Sequence, residues 1–216
     1  MIKKPNEKII RHSASERINH WLVVIFFLFT AISGLGFFFP SLNWLMNILG
    51  TPQLSRVLHP FLGAMMFVLF VGMFIRYFKH NFIDKQDIIW AKNIDKILKN
   101  EEVGDVGQYN LGQKAVFWLA TICLFLLLVS GIIIWRPYFT DYFPIPIIRL
   151  ALLLHSVAAI GLIMTIIIHV YAAIWVKGSI RAMVEGWVTR AWAKKHHPRW
   201  YREIVEKEKP RQEKSS

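Results

Sequence analysis

The sequence predicts an all-α membrane protein, a bundle of four transmembrane helices with an additional helix at the membrane surface near its C-terminus. Hydrophobic residues make up 55% of the 216 positions, more than most soluble domains carry. Four apolar runs are each long enough to cross the roughly 30 Å hydrocarbon core of a bilayer. The charged residues lie almost entirely outside these runs, as expected when the loops of a membrane protein carry its charge.

The four predicted spans contain no charged residue. The fourth is longer than a bilayer requires, so we expect it to tilt or to project from the membrane. Pro60 lies near the start of the second span, where a proline costs no helix hydrogen bond because the first turn has spare donors. The predicted spans are residues 21–39, 57–75, 115–135 and 150–176.

The distribution of lysine and arginine predicts the orientation of the bundle. All but three of the 26 basic residues lie in the N-terminal tail, between the second and third spans, or after the fourth span. The exceptions are Arg56, Arg136 and Arg149. By the positive-inside rule the basic side is cytoplasmic, and an even number of spans places both termini there. The polar N-terminal segment lacks the apolar core of a cleaved signal peptide, so we expect the first span to be retained.

The formal net charge of +12 is also compatible with nucleic-acid binding, and the basic run at 194–199 fits that interpretation locally. Basic segments beside membrane spans bind anionic lipid by default, so we expect the lipid bilayer, and no nucleic acid, as their partner. Cys123 is the sole cysteine of the sequence, which rules out an intramolecular disulfide.

Four histidines lie inside the predicted spans or at their ends. His155 and His169 are fourteen residues apart in the fourth span, so on a helix their rings point the same way to within about 40° and stand about 21 Å apart. An ionisable ring inside a membrane is costly and needs a partner. Because successive spans alternate in direction, His59 lies at the depth of His155 near the outer side, and His20 at the depth of His169 near the inner side. The histidines therefore form two pairs matched in depth.

Two neutral imidazoles on facing helices are a ligand set for haem iron. One alternative is that each histidine is an isolated polar residue satisfied by a backbone carbonyl or by water. Another is a zinc or copper ion, but a structural zinc site has four ligands, and no Cys or carboxylate completes the set at either depth. Haem therefore fits better than a bare metal ion.

Small residues in all four spans are suited to the wall of a porphyrin pocket. Small residues equally favour tight packing between membrane helices, so each of them has two interpretations. They are Ser33, Gly34, Gly36, Gly63, Ala64, Ser130, Gly131, Ala158, Ala159 and Gly161.

The loop 78–114 mixes charged and apolar residues and predicts a short amphipathic helix on the membrane surface. It ends in Asn110, Gly112 and Gln113, directly before the third span. The two amide side chains could hydrogen-bond a quinone headgroup, but the residues alone favour an ordinary helix cap.

The segment after the fourth span predicts an amphipathic helix over 179–192 with tryptophan anchors. We therefore expect a four-helix domain over 1–178, followed by a surface helix and tail over 179–216. The four remaining histidines lie in tails or loops, where we expect them to be solvated. They are His12, His80, His196 and His197.

Several strings resemble the cytochrome b (gamma) subunit of the membrane-bound respiratory formate dehydrogenases of bacteria. The resemblance covers nearly the whole chain and is specific to that family rather than to four-helix cytochromes in general. The strings are ERINHW at 16–21, GTPQ at 50–53, LHP at 58–60, GQK at 112–114, GIIIWRPYF at 131–139, WVKG at 175–178 and WAKKHHPRWYRE at 192–203.

The resemblance implies a cytochrome with two b haems in the bacterial inner membrane. The outer haem would be bound by His59 and His155 and the inner haem by His20 and His169, in agreement with the pairs matched in depth. Electrons would enter at the outer haem from an iron–sulfur beta subunit, which receives them from a molybdopterin-containing alpha subunit that oxidises formate. No formate-oxidising site is expected on this chain. Association of several such heterotrimers is compatible with the resemblance.

The resemblance also makes Asn110, Gly112 and Gln113 the expected contacts of menaquinone or ubiquinone near the cytoplasmic face. Reduction of the quinone there, with protons from the cytoplasm, would contribute to the proton-motive force. The alternatives are the cytochrome b of another oxidoreductase, such as a nickel–iron hydrogenase or a thiosulfate reductase, and a membrane anchor without haem.

Overall fold

The computed structural model describes residues 7–99, 101, 104–136 and 138–213. In chain order its α-helices are α1 (Ala14–Phe38), α2 (Pro52–Tyr77), α3 (Lys85–Lys92), α4 (Ile94–Leu98), α5 (Leu111–Ile133), α6 (Ile145–Trp175), α7 (Ser179–Val184), α8 (Arg190–His196) and α9 (Pro198–Glu213). Two short strands are β1 (Lys8–Ile10) and β2 (Trp187–Thr189). Short 3-10 helices cover Pro40–Leu49, Phe78–His80 and Thr140–Tyr142.

Four helices are long and apolar enough to cross a membrane: α1, α2 with the turn that follows it to His80, α5 and α6. This confirms the four predicted spans. Each helix begins four to seven residues before its predicted span, because polar residues can form the first turn of a helix. At α1, Ser13 and Glu16 cap each other: the Ser13 N–H donates to the Glu16 carboxylate at 2.6 Å, and the Glu16 N–H donates to the Ser13 hydroxyl at 3.3 Å.

The chain divides into two compact units. The first, which we call the span unit, comprises Ile18–Arg76 and Trp118–Ile168. The second, the terminal unit, comprises the described residues of Met1–Arg17, Tyr77–Phe117 and His169–Ser216. The division into domains at residue 178 stays a prediction.

The core of the span unit lies between α2, α5 and α6. Its most buried residues are Met66, Phe70, Ala120, Leu124 and Leu162, with phenylalanines of α1 and α2 packed against them. Other faces of the same helices expose large apolar side chains such as Val68, Phe125 and Ile168. A helix that is apolar all round is typical of a membrane span, whose outer face meets lipid.

The terminal unit joins the two ends of the chain. Strands β1 and β2 pair antiparallel, with Ile9 opposite Val188. Both residues belong to an apolar cluster with Ala182, Ala193 and Trp200. The N-terminal tail is therefore an integral part of this unit.

The predicted single helix over 179–192 is wrong in this detail, because strand β2 separates α7 from α8. Gly186 adopts a φ of +89°, a left-handed conformation that breaks the helix, and its carbonyl accepts the Arg11 N–H at 2.8 Å. The Thr189 hydroxyl then starts α8 by accepting the Trp192 N–H at 3.1 Å. Helical periodicity alone could not reveal a strand partner that lies near residue 9.

Of the remaining surface predictions, the helix in the loop 78–114 is close to the structure, but the C-terminal tail is not. The predicted helix in the loop 78–114 is found as α3 and α4, and Asp84 and Asp87 form a capping box at the start of α3. Helix α9 occupies most of the predicted C-terminal tail, while 214–216 lie outside the described residues. The expectation that His197 is solvated is wrong, since this side chain is only 2% exposed.

Candidate functional site

The structure brings His59 of α2 and His155 of α6 together inside the span unit. Their ring centroids are 6.3 Å apart and their planes are inclined by 60°. Two imidazoles that bind one metal ion through bonds of about 2 Å each have ring centres about 6 Å apart. The two side chains are thus spaced as a pair of axial ligands would be, and their role as ligands stays a prediction.

Each of these histidines has a serine at its Nδ1 atom. Ser33 Oγ lies 2.8 Å from His59 Nδ1, and Ser130 Oγ lies 3.0 Å from His155 Nδ1. Both hydroxyls also donate to a carbonyl one turn back in their own helix, Phe29 O at 2.8 Å and Leu126 O at 2.6 Å.

The serine contacts decide which ring nitrogen can bind a metal. A hydroxyl has one hydrogen, so a serine that donates to its helix carbonyl accepts a hydrogen bond from the histidine. The proton then lies on Nδ1 and the lone pair on Nε2, as a metal-binding imidazole requires. A partner of this kind also fixes the orientation of the ring.

A glycine follows each serine and lets the histidine ring approach the helix backbone. A Cβ atom added to Gly34 would lie 3.3 Å from His59 Cε1, and one added to Gly131 would lie 3.4 Å from His155 Cε1. The dipeptide Ser-Gly thus occurs once beside each histidine. The sequence contained this signal as a repeated dipeptide, but it did not reveal that the serines hydrogen-bond the histidines.

Three other glycines that are candidates for a pocket wall lie close to protein side chains. A Cβ atom on Gly36 would lie 2.7 Å from Met46 Cγ, one on Gly63 would lie 3.7 Å from Thr30, and one on Gly161 would lie 3.4 Å from Cys123. These contacts agree with the alternative interpretation of small residues as helix-packing positions.

The other two histidines, His20 and His169, are half-buried in long helices. His20 makes an edge contact with Trp21, at 5.3 Å between ring centroids. The two belong to different units, so their pairing stays a prediction. His169 and His155 do lie on one continuous helix, α6, about 21 Å apart along its axis.

Asn110 and Gln113 form a reciprocal cap at the start of α5. The Asn110 N–H donates to Gln113 Oε1 and the Gln113 N–H donates to Asn110 Oδ1, both at 3.0 Å. This is the helix cap that the residues alone favoured. The cap uses only the oxygen atom of each side chain, so both amide groups keep their donors for an acceptor such as a quinone carbonyl.

A buried ion pair that the sequence did not reveal lies close to this cap. Lys114 is 4% exposed, and its Nζ lies 2.6 Å from Asp87 Oδ2 and 3.9 Å from Asp84 Oδ2. Asp84 also accepts a hydrogen bond from Arg199 at 2.6 Å. Partial burial raises the pKa of the Asp84 carboxyl, but the hydrogen bond from Arg199 and the charge of Lys114 outweigh that effect and lower it.

Three of these charged residues, Lys114, Asp84 and Arg199, line an open cavity of about 420 Å³ in the terminal unit. Its wall includes Gly107, Gln108 and Tyr109 from the loop before α5 and Trp200 from α9. Within the described part of the chain, no group of three or more His, Cys, Asp or Glu side chains could hold a metal ion. Paired imidazoles in the span unit are therefore the donor set that the geometry supports.

Comparison with known proteins agrees with this geometry. The chain is 65% identical over 201 residues to the formate dehydrogenase cytochrome b556(fdo) subunit of Escherichia coli K12, covering 93% of this chain and 95% of that protein. It is 54% identical over 200 residues to the formate dehydrogenase cytochrome b556 subunit of Haemophilus influenzae, covering 92% and 84%. It is also 54% identical over 205 residues to the nitrate-inducible formate dehydrogenase cytochrome b556(Fdn) subunit of E. coli K12, covering 94% of each.

The description of the matching protein family is prokaryotic cytochrome b561, and the match covers residues 11–186. A cytochrome b binds haem b, which agrees with the two facing imidazoles in an apolar bundle. The four apolar helices agree with a membrane protein that crosses the bilayer several times. The chain therefore belongs to the prokaryotic cytochrome b561 family of helical membrane proteins.

Proposed function

We propose that this chain is the membrane cytochrome b subunit of a formate dehydrogenase, and that it transfers electrons through two b haems to quinone. The observation that carries the haem part is the pair His59 and His155, with a serine at each Nδ1. The relatives described above, which are named formate dehydrogenase cytochrome b556 subunits, support the identity of the complex.

His59 and His155 hold the outer haem iron through their Nε2 atoms. Ser33 and Ser130 keep each ring in one tautomer and one orientation, and Gly34 and Gly131 let the rings lie against the helices. Haem b supplies reversible one-electron chemistry when it is bound. Phe37 makes an apolar edge contact with the His59 ring, at 5.2 Å between ring centroids.

His20 and His169 hold the inner haem in this proposal. The distance of about 21 Å between His155 and His169 along α6 supports two haems at different depths of a bilayer. Each of the two pairs takes one histidine from each of two helices, so the chain would supply both axial ligands of each haem iron.

Asn110, Gly112 and Gln113 bind the quinone at the start of α5. The amide N–H groups left over from the reciprocal cap would donate to a quinone carbonyl. Reduction to the quinol takes up two electrons and two protons, and converts both carbonyl groups to hydroxyl groups. If the protons come from the cytoplasm, the reaction contributes to the proton-motive force.

The proposed location is the bacterial inner membrane with both termini in the cytoplasm. The concentration of lysine and arginine on one side of the four spans supports this orientation. The proposed partners are an iron–sulfur beta subunit on the periplasmic side and a molybdopterin-containing alpha subunit, where formate is oxidised. Association of several heterotrimers is part of the same proposal.

The test is to purify the chain with the subunits that accompany it and to record reduced-minus-oxidised spectra. We expect two haem b per chain, reduction of both by formate, and reoxidation of both by added menaquinone or ubiquinone analogues. Haem content near one or zero per chain would overturn the proposal of two haems. Reduction by hydrogen instead of formate would assign the chain to a hydrogenase, whereas thiosulfate-linked haem oxidation would assign it to a thiosulfate reductase.

A further inference from the structure

The loop Gly104–Asn110 leads directly into the cap formed by Asn110 and Gln113. We propose that His197, Arg199 and Arg11 are positioning residues for quinone, because together they fix the backbone of this loop. The inference rests on the proposed function, since Asn110 and Gln113 are its quinone contacts. It gives the two ends of the chain a role in quinone affinity.

Three successive carbonyl groups of the loop each accept a hydrogen bond from a different residue at the ends of the chain. The Arg199 N–H donates to Val106 O at 3.1 Å. His197 Nδ1 lies 2.8 Å from Gly107 O, and the Arg11 guanidinium donates to Gln108 O. Loop carbonyls usually bond to water or to near neighbours in sequence, whereas these partners lie 90 or more residues away.

The His197 side chain is held rigidly at this contact. It contacts both Trp192 and Trp200, whose ring centroids are 5.3 Å and 6.2 Å away. Burial and the positive charge of Arg11 lower the pKa of His197 to about 3, although the Gly107 carbonyl opposes the shift. The ring is therefore neutral near pH 7, and the hydrogen bond to the carbonyl requires its proton on Nδ1.

Arg11 is also buried, with 7% of its surface exposed. Its guanidinium lies over the rings of Trp200, at 4.3 Å from the centroid, and Tyr109, at 5.4 Å. Burial lowers the pKa of Arg11 to about 10, so the side chain stays protonated at neutral pH. Tyr109 makes a further edge contact with Tyr77, at 6.0 Å between centroids, so the residue directly before Asn110 is packed on two sides.

Gly107 shows how closely α9 approaches the loop. A Cβ atom at this position would lie 2.5 Å from Arg199 Nη2 and 3.0 Å from Arg199 Nε. Asp105 accepts a hydrogen bond from Arg202, which is also in α9, at 2.5 Å, and the Asp105 N–H donates to Gln86 Oε1 at 3.1 Å. The backbone before the cap thus has few alternative conformations.

A displacement of the loop would move the amide donors of Asn110 and Gln113 relative to a bound quinone. Misplacing a reacting group by about 1 Å can lower a rate on the order of 100-fold, and binding depends on the same geometry. Loss of one of the three carbonyl contacts should have a smaller effect, because the other two remain. We therefore expect a rise of about tenfold in the KM for quinone.

The test compares His197→Phe with His197→Asn in the purified complex of all subunits. Asparagine can place its Nδ2 donor close to the position of histidine Nδ1, whereas phenylalanine fills the space without a donor. With decylubiquinone as acceptor, we expect His197→Phe to raise the KM about tenfold and His197→Asn to restore it to within about twofold. Haem content and the rate of haem reduction by formate should not change, since neither depends on the loop. His196→Phe, at the neighbouring histidine, is the matched control and should leave the KM unchanged.

The outcomes separate this inference from the proposed function. If Asn110→Ala and Gln113→Ala raise the KM while His197→Phe does not, the positioning role is wrong and the quinone site stands. If none of the three changes the KM, the quinone site itself is wrong. If His197→Phe does not assemble, Arg11→Met, which removes the donor to Gln108 O, takes its place in the same comparison. An unchanged KM in that variant contradicts the inference equally.

Discussion

The polar contacts at the histidines of the span unit join consecutive helices, whereas several polar contacts of the terminal unit join distant parts of the chain. Ser33 and Ser130 donate to carbonyls four residues back, and their histidines follow 26 and 25 residues later. In the terminal unit, Arg199 contacts Asp84 across 115 residues and Arg190 contacts Glu7 across 183. A helix pair can form the first kind of contact by itself, but the second kind requires both ends of the chain. Substitutions in the two units should therefore affect different properties: haem binding in the span unit and stability in the terminal unit.

The largest expected effect is the loss of a haem from the span unit. Replacing His155 with alanine should remove the outer haem, leave a substantial part of the inner haem, and abolish electron transfer from formate to quinone. Replacing His169 should do the reverse for the two haems and also abolish quinone reduction. Haem b per chain, measured from alkaline pyridine spectra, checks both variants. His80→Ala, at an exposed histidine, is the control. Two haems at full occupancy in either variant would contradict the pairing by depth.

The next effect concerns stability in the terminal unit. Asp87→Asn leaves the ammonium group of Lys114 buried beside a neutral amide, with Asp84 still 3.9 Å away. Breaking a buried pair costs about 3–5 kcal/mol, and we expect the lower value because Asp84 remains. The rate of limited proteolysis in this unit should rise, while the haem spectrum should not change.

A matched control for that variant is Arg202→Gln. Its partner is Asp105, and the two side chains are 57% and 37% exposed. Exposed pairs contribute about 0–1 kcal/mol, so proteolysis should change little. Equal effects of the two variants would mean that burial is not what makes the Lys114 pair important.

The serines in the span unit predict a smaller effect than the histidines themselves. Ser33→Ala and Ser130→Ala remove the hydrogen bond at Nδ1 but leave the ring in place. Loss of such a partner lowers metal affinity about 10- to 100-fold, so haem should transfer to apomyoglobin correspondingly faster. Ser156→Ala is the control. The Ser156 hydroxyl donates to a carbonyl of its own helix, Leu152 O, as the other two serines do, but it takes part in neither of the two serine–histidine contacts. Transfer rates equal to that control would show that the serines do not support the ligands.

The effect that is smallest near neutral pH is a pH dependence of the terminal unit. His197 has a pKa of about 3 when folded, against an ordinary value of 6.5. Below pH 6.5 the unfolded segment binds a proton that the folded one does not. The contribution of His197 to the stability of the folded unit is therefore complete above pH 6.5 and is lost as the pH falls. The loss is about 1.4 kcal/mol per pH unit. Proteolysis at pH 7, 6 and 5 should accelerate more in the unsubstituted chain than in His197→Asn. Parallel acceleration would exclude His197 as the cause.

The sequence was sufficient to predict the four long helices and the depth of His59 relative to His155. Apolar runs and helix geometry are properties of short segments, and a membrane leaves few ways to arrange them. The same reasoning identified Ser33 and Ser130 as small residues but not as hydrogen-bond partners of the histidines. Whether a serine faces a histidine depends on the rotation of its helix about the helix axis, and packing sets that rotation. It also failed for His197, whose carbonyl partner at Gly107 is 90 residues away. Contacts between residues so far apart in the sequence depend on the tertiary structure and leave no periodic pattern in the sequence.

The two serine–histidine bonds have a consequence for biogenesis. Ser33 and His59 lie on the consecutive helices α1 and α2, and Ser130 and His155 lie on the consecutive helices α5 and α6. Each hairpin therefore contains everything needed to orient its own imidazole. During synthesis the first hairpin can set His59 before the ribosome has made the second. The outer haem would then bind between two helical hairpins, α1–α2 and α5–α6, in which the histidine ring is already oriented.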